Sequence, residues 1–477
     1  MAKVQKNLLY NLLLSISQII FPLFTIPYIA RTLTPNSIGQ VSFADSFAFY
    51  FTIIAEFGIM TYGVREVAKY KNDPLKLNKT VSSLLSLHIL SSLLAILIFS
   101  CFVVVLRSHY EDPTILIFSY LYLFANAFAC EWYFYGQESF KYIAIRAILV
   151  RIAGIASIYI FVKSPDDYLA YYAIIVFSAI TNVGLNFYNV IRKKLFSFDF
   201  TSGLKYVKQI MTINAISILA AMPLLLDNVI IGIVASATTV GLYAFTVKIV
   251  RISSSLITDS MYVFFPSIVA LKAQNKQQQL KQQLTFSIQL IILFATPLSM
   301  GIFLLADEII PVFLGESFTD AIPYLRILAL YPIIKSISLY YSNPVLMANH
   351  FDKSFFKNLL AACVLFFVLA FIGGYYYQAM GMCIALLTAE LVLLVLNLSS
   401  VRKHLPALPV FSLKAFGIAL VTALSFYPII YAINLMALVP IIALAIKVIT
   451  CLLVYLFIVF VLIKPIKNVH FIANENG

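Results

Sequence analysis

Three charges interrupt an otherwise apolar run, "VGLYAFTVKIVRISSSLITDSMYVFF" (240–265), and their spacing makes them candidates for chemistry. Lys248, Arg251, Ser255 and Asp259 stand at i, i+3, i+7 and i+11, which on an α-helix is a single face. A second stripe, Asp45, Phe49, Thr52 and Glu56, has separations of 4, 3 and 4 residues. Arg offers paired donors and Lys a point charge to phosphate oxygens, so the first stripe suits an anionic, phosphate-bearing ligand. The carboxylates of the second are able to take up H+ or Na+. The pattern leaves open whether Lys248 and Arg251 meet a ligand or are occupied by Asp45 and Glu56.

Other ionisable groups also lie within apolar runs: Arg31 at the end of the first, His88 in the third, Glu131 in the fourth, Asp227 in the seventh, Lys335 in the tenth and Glu390 in the twelfth. At the centre of a bilayer each costs about 2.5 to 3.5 kcal/mol on insertion scales, so each is expected to face a cavity or a partner. Bland readings compete. Arg31 can snorkel to the interface, Glu131 can sit at headgroup depth beside Trp132 and Tyr133, and His88 reads as a packing residue. Arg31, Lys248, Arg251 and Lys335 are the candidate substrate-binding cations. Asp45, Glu56, Glu131, Asp227, Asp259 and Glu390 are the candidate cavity or ion-coupling carboxylates.

No G-x-x-x-x-G-K-[ST], H-E-x-x-H or G-x-S-x-G motif occurs, and no long soluble stretch could house a catalytic domain. No catalytic residue, metal site or organic cofactor is therefore expected. Cys101, Cys130, Cys363, Cys383 and Cys451 all fall in apolar segments without metal-type spacing, and no disulfide is expected.

The elements that position these residues are membrane helices. The 477 residues are 62% hydrophobic and 11% charged, with mean hydropathy +0.96, more apolar surface than a soluble core can hide. Runs apolar on every face, such as "LLSLHILSSLLAILIFSCFVVVL", exclude a β-barrel. About fourteen spans are expected, near 8–30, 39–62, 80–106, 113–135, 145–163, 168–191, 209–234, 238–265, 284–306, 321–347, 355–376, 379–401, 411–433 and 438–463. The fold class is all-α and integral to the membrane. The net charge of +13 is dispersed over loops, which argues against nucleic acid as a partner. Those loops, among them "REVAKYKNDPLKLNK", "FKYIAIR", "RKKLFSFDFTSGLKYVK" and "RKH", fall on one side and place both termini in the cytosol.

An internal repeat of about 200 residues is visible: "SIGQVSFADSF" (37–47) parallels "TVGLYAFTVKI" (239–249), with Gly39 matching Gly241, and "GQESFK" (136–141) parallels "ANHFDK" (348–353). It divides the chain into residues 1–195 (spans 1–6), 196–404 (spans 7–12) and an appended pair with a cytosolic tail, 405–477.

The stretches "PLFTIPYIARTLTPNSIGQVSFADSFAFYF", "EWYFYGQESFKYIAIRAILVRI", "DNVIIGIVASATTVGLYAFTVKIVRI" and "FFPSI" resemble the Wzx-type O-antigen and polysaccharide flippases of the multidrug/oligosaccharidyl-lipid/polysaccharide exporter superfamily. The resemblance implies fourteen helices in two pseudo-symmetric six-helix lobes plus a C-terminal pair. It also implies movement of undecaprenyl-pyrophosphate-linked oligosaccharide across the bacterial inner membrane by alternating access, for O-antigen (lipopolysaccharide) or other surface polysaccharide biosynthesis. A polysaccharide polymerase and a chain-length regulator are the implied protein partners. Arg31 in "PYIART" and Arg251 in "VKIVR", with Lys248 beside it, match the family's cationic cavity positions. An ion-coupled multidrug exporter of the same superfamily is the alternative; for it, Asp45, Glu56 and Asp227 would matter more than the cations. An enzyme of the same glycan pathway is disfavoured by the short outer loops.

Overall fold

A computed structural model of the chain describes residues 2–56, 58–199, 203–207, 210, 226–261, 264–274, 276–349, 351–405, 412–436 and 438–463. Every regular element among the described residues is helical. Eleven helices there are long and apolar enough to cross a membrane, or twelve if the bent pair Glu316–Leu328 and Tyr331–Asn349 is one span. Most of the seventh expected span, residues 211–225, lies outside the described residues. The protein is a multi-pass helical membrane protein.

The first eight helices are α1 (Ala2–Thr32), α2 (Pro35–Glu56), α3 (Ile59–Lys69), α4 (Pro74–Leu106), α5 (Ile115–Asn126), α6 (Glu131–Gly136), α7 (Phe140–Phe161) and α8 (Tyr168–Arg192). They are followed by α9 (Ala237–Met261), α10 (Phe265–Ala273), α11 (Gln277–Leu304), α12 (Ile322–Leu328), α13 (Tyr331–Tyr340), α14 (Asp352–His404), α15 (Leu413–Leu424), α16 (Phe426–Asn434) and α17 (Pro440–Ile463).

Local chemistry explains several boundaries. Pro35, Pro74 and Pro440 each open a helix, where a missing N–H removes no intrahelical bond. Asp73 caps α4, its carboxylate accepting from the Lys76 backbone N–H at 3.1 Å. The fourth expected span is two helices, because the chain breaks at residues 127–130 between α5 and α6. The eleventh and twelfth are the two limbs of α14, which turns back at Gln378 (φ 49°). Glycine permits that turn: a Cβ on Gly381 would stand 1.9 Å from the Gly373 carbonyl oxygen.

The chain forms two compact units, Met1–Phe245 with Cys363–Met382, and Thr246–Ala362 with Cys383–Gly477. In the first, α1 packs on α7, and α2 on α4, α5 and α8. One of its cores gathers Leu84, Trp132, Tyr133, Phe134 and Ile143. In the second, α11 packs on α13 and α15, and α17 on α15 and α16, around Phe426, Cys451 and Tyr455. Val104, Val105, Val421 and Phe457 stay exposed, as apolar side chains do where the solvent is lipid.

Candidate functional site

The second unit holds the cationic group. Arg251 comes from α9, Tyr331 and Lys335 from one face of α13 four residues apart, and Glu390 from the second limb of α14. Lys335 Nζ donates to Glu390 Oε1 at 2.6 Å, with side-chain exposures of 17% and 8%. Arg251 is hydrogen-bonded to the Tyr331 hydroxyl, and both Arg251 and Tyr331 interact electrostatically with Lys335. Tyr331 is buried. Glu390 stands 12 residues beyond the turn at Gln378 and 14 before the helix end at His404, so at about 1.5 Å per residue the cluster is near the middle of its span.

The rest of the α9 stripe is more open. Lys248 and Asp259 are exposed, while Ser255 is half-buried and its hydroxyl returns to the Ile252 carbonyl at 2.8 Å. The stripe is thus one helix face graded from exposed to half-buried, with Arg251 the member that reaches Tyr331.

The first unit holds the acidic group. The α2 stripe runs beside tyrosines: Asp45 interacts electrostatically with Tyr122, Tyr171 and Tyr172, and Thr52 bonds Tyr122. Glu56, in the last turn of α2, lines a cavity of about 130 Å³ with His88, Asn126, Glu131, Trp132, Arg146, Asn182 and Asn186. Arg146 Nη2 donates to Glu131 Oε1 at 2.5 Å, and Arg146 is buried within α7. His88 Nδ1 meets the Ala129 carbonyl at 3.2 Å, and its Nε2 has no partner among the described residues. Asn126 Nδ2, Asn182 Oδ1 and Asn186 Oδ1 likewise have none among the described residues. The space and its polar lining suit a few waters or a small cation. Among the described residues, no cluster of His, Cys, Asp and Glu could hold a metal.

Asp227 is fully buried and accepts from the Tyr243 hydroxyl at 3.0 Å, while its neighbour Asn228 donates to Ser46 at 3.0 Å. Arg31 is exposed in the last turn of α1. The structure therefore brings Arg251, Lys335 and Glu390 together in one unit, and Glu56 and Glu131 together in the other; Arg31, Lys248 and Asp259 are more open, Asp45 stands near tyrosines, and Asp227 accepts from one.

Sequence reasoning missed Arg146, Asn182, Asn186 and Tyr331. Arg146 reads from sequence as one of the loop charges of "FKYIAIR", yet it is the seventh residue of α7. Asn182 and Asn186 are spaced i, i+4 inside an apolar run, a signal that was available.

Residues 4–272 match the family described as polysaccharide biosynthesis protein. A putative O-antigen transporter of Escherichia coli (strain K12) is 24% identical over 412 residues, covering 84% of this chain and 97% of the relative. A probable low-salt glycan biosynthesis flippase, Agl15, of Haloferax volcanii is 30% identical over 112 residues, 24% of each chain. Among solved structures, the lipid II flippase MurJ in an inward closed conformation superposes with TM-score 0.71 at 16% identity, covering 96% of this chain and 99% of that one, which is a likeness of fold. The family match spans more than half of the chain, and the Wzx-type resemblance carried by its motifs stands: the protein belongs to the polysaccharide biosynthesis protein family.

Proposed function

We propose that the protein is a flippase that carries undecaprenyl-pyrophosphate-linked oligosaccharide repeat units from the cytosolic to the periplasmic leaflet of a bacterial inner membrane. The observation that carries this reading is the meeting of Arg251 and Lys335 around Tyr331 at mid-span, two cations retained where a bilayer penalises each. A pyrophosphate offers them oxygen acceptors that a cationic drug would not. The O-antigen transporter that matches over most of both chains supports the same reading.

In this proposal Arg251 and Lys335 hold the pyrophosphate, Lys248 and Arg31 guide it, and the polyprenyl chain stays in lipid. The chain has fourteen spans, in six-helix lobes 1–195 and 196–404 plus an appended pair in 405–477, with both termini cytosolic. The lobes alternate access, driven by uptake of H+ or Na+ at carboxylates, of which Glu56 is the leading one and Asp45, Glu131, Asp227 and Asp259 are further candidates. A polysaccharide polymerase and a chain-length regulator act on the delivered unit; the flippase itself catalyses no bond change. Arg251→Ala is the test: membrane levels stay normal, and complementation of a flippase-null strain is lost. Normal surface polysaccharide in that strain overturns the reading.

A further inference from the structure

The Lys335–Glu390 pair is built unevenly. Glu390 Oε1 accepts from Lys335 at 2.6 Å, whereas Glu390 Oε2 is buried with no hydrogen-bond partner among the described residues. A carboxylate fixed for stability has both oxygens satisfied, because a buried, half-satisfied charge is destabilising. Lys335 carries three donors, and Glu390 Oε1 is its one hydrogen-bond acceptor among the described residues. Beside the pair stands Arg251, which interacts electrostatically with Lys335.

We propose that Glu390 is an exchangeable counter-ion, a carboxylate that occupies Lys335 when no cargo is bound and that the cargo's phosphate oxygens displace. This rests on the flippase reading. A carboxylate oxygen and a phosphate oxygen compete for one ammonium, both through a charge-assisted hydrogen bond to Nζ. The bare site does not leave Lys335 buried and unpaired, which membrane burial would penalise heavily. The loaded site gives up one internal pair, which limits the grip on the pyrophosphate and allows release. Glu390 thus sets affinity through Lys335 without touching the cargo.

The test is binding of undecaprenyl pyrophosphate to the full-length protein in nanodiscs, with thermal melting recorded for each variant. Glu390→Gln removes the competing charge, so affinity rises by about tenfold while flipping slows. Lys335→Gln moves affinity the other way, and in the Lys335→Gln/Glu390→Gln double variant the gain disappears. A purely structural pair predicts losses of the same sign for both single variants. Glu390→Asp keeps the charge but withdraws it by one methylene, and its affinity falls between wild type and Glu390→Gln. Affinity equal to or below wild type in whichever of the two Glu390 variants folds overturns the proposal, as does failure of both to fold. Wild-type protein that does not bind the pyrophosphate at all overturns the flippase reading instead.

Discussion

Gly39 and Gly241 each press on the chain that leads into the other's helix. A Cβ on Gly39 would stand 1.7 Å from the Ala237 carbonyl oxygen, and one on Gly241 would stand 1.9 Å from the Pro35 carbonyl oxygen. Both contacts lie within the first unit, where α2 and α9 begin. These are the two glycines that match in the two sequence stretches 37–47 and 239–249. Small residues allow such backbone approach in membrane helices, with Cα–H···O contacts adding modestly.

Because backbone opposes both glycines, no side-chain rotamer relieves a substitution. Gly241→Val or Gly39→Val is expected to part α2 from α9 and reduce surface polysaccharide by about tenfold or more, a loss of the size that small-residue packing contacts carry. Gly184→Ala is the control, since a Cβ there meets nothing within 4 Å, and it is expected to be neutral or to stabilise α8 by about 0.5–1 kcal/mol. Complementation assays with membrane levels measured in parallel check both. Full activity in Gly241→Val would show that the approach is incidental.

Glu131 has Arg146 as its ion-pair partner, whereas Glu56, in the same cavity, has none among the described residues. If the cavity couples transport to an ion, Glu56 is the carboxylate free to take it. In proteoliposomes with an imposed H+ or Na+ gradient, Glu56→Gln is expected to lower the rate by about tenfold and to remove its dependence on the gradient, the effect of deleting a positioned proton or cation acceptor. An unchanged gradient response moves coupling elsewhere.

The spans were legible because their length and apolarity are dictated by the bilayer, and α8 at Tyr168–Arg192 agrees closely with the expected 168–191. The break between α5 and α6 was not, since "AFAC" contains neither Gly nor Pro. The charges of the candidate site could be read from the sequence, but not their partners: Lys335 and Glu390 are 55 residues apart and meet only once the chain is folded. Arg146 shows the converse limit. A charge six residues into a helix reads as a loop charge until its carboxylate, on another helix, is located.

Asp167, in the turn between α7 and α8, accepts from the backbone N–H groups of Lys163 at 2.8 Å and Ser164 at 2.7 Å. These donors hold its carboxyl below the ordinary aspartate range. A lowered folded-state value means stability that is complete above the unfolded value, about 3.9, and is lost as pH falls through the folded one. Asp167→Asn is therefore expected to melt below wild type at neutral pH, with the difference closing as the pH is lowered past about 4. A melting difference that is constant with pH would assign the effect to packing.

Lys447 lies inside α17 with its side chain 3% exposed, and its ammonium donates to Glu308 Oε1 at 2.6 Å. Asn434, at the end of α16, accepts from the same group. Glu308, in the short helix Ala306–Ile309, is 28% exposed, so the two partners are unequally desolvated. Removing the carboxylate leaves a buried ammonium with one neutral acceptor; removing the ammonium leaves a carboxylate that reaches solvent. Glu308→Gln is thus expected to destabilise by about 2–4 kcal/mol and Lys447→Met by about 1 kcal/mol, the order fixed by which charge is stranded. Thermal melting gives the order, and faster hydrogen exchange in α16 and α17 of Glu308→Gln locates the damage. Equal losses in the two variants would mean that the bond holds the terminal helices by packing rather than by charge.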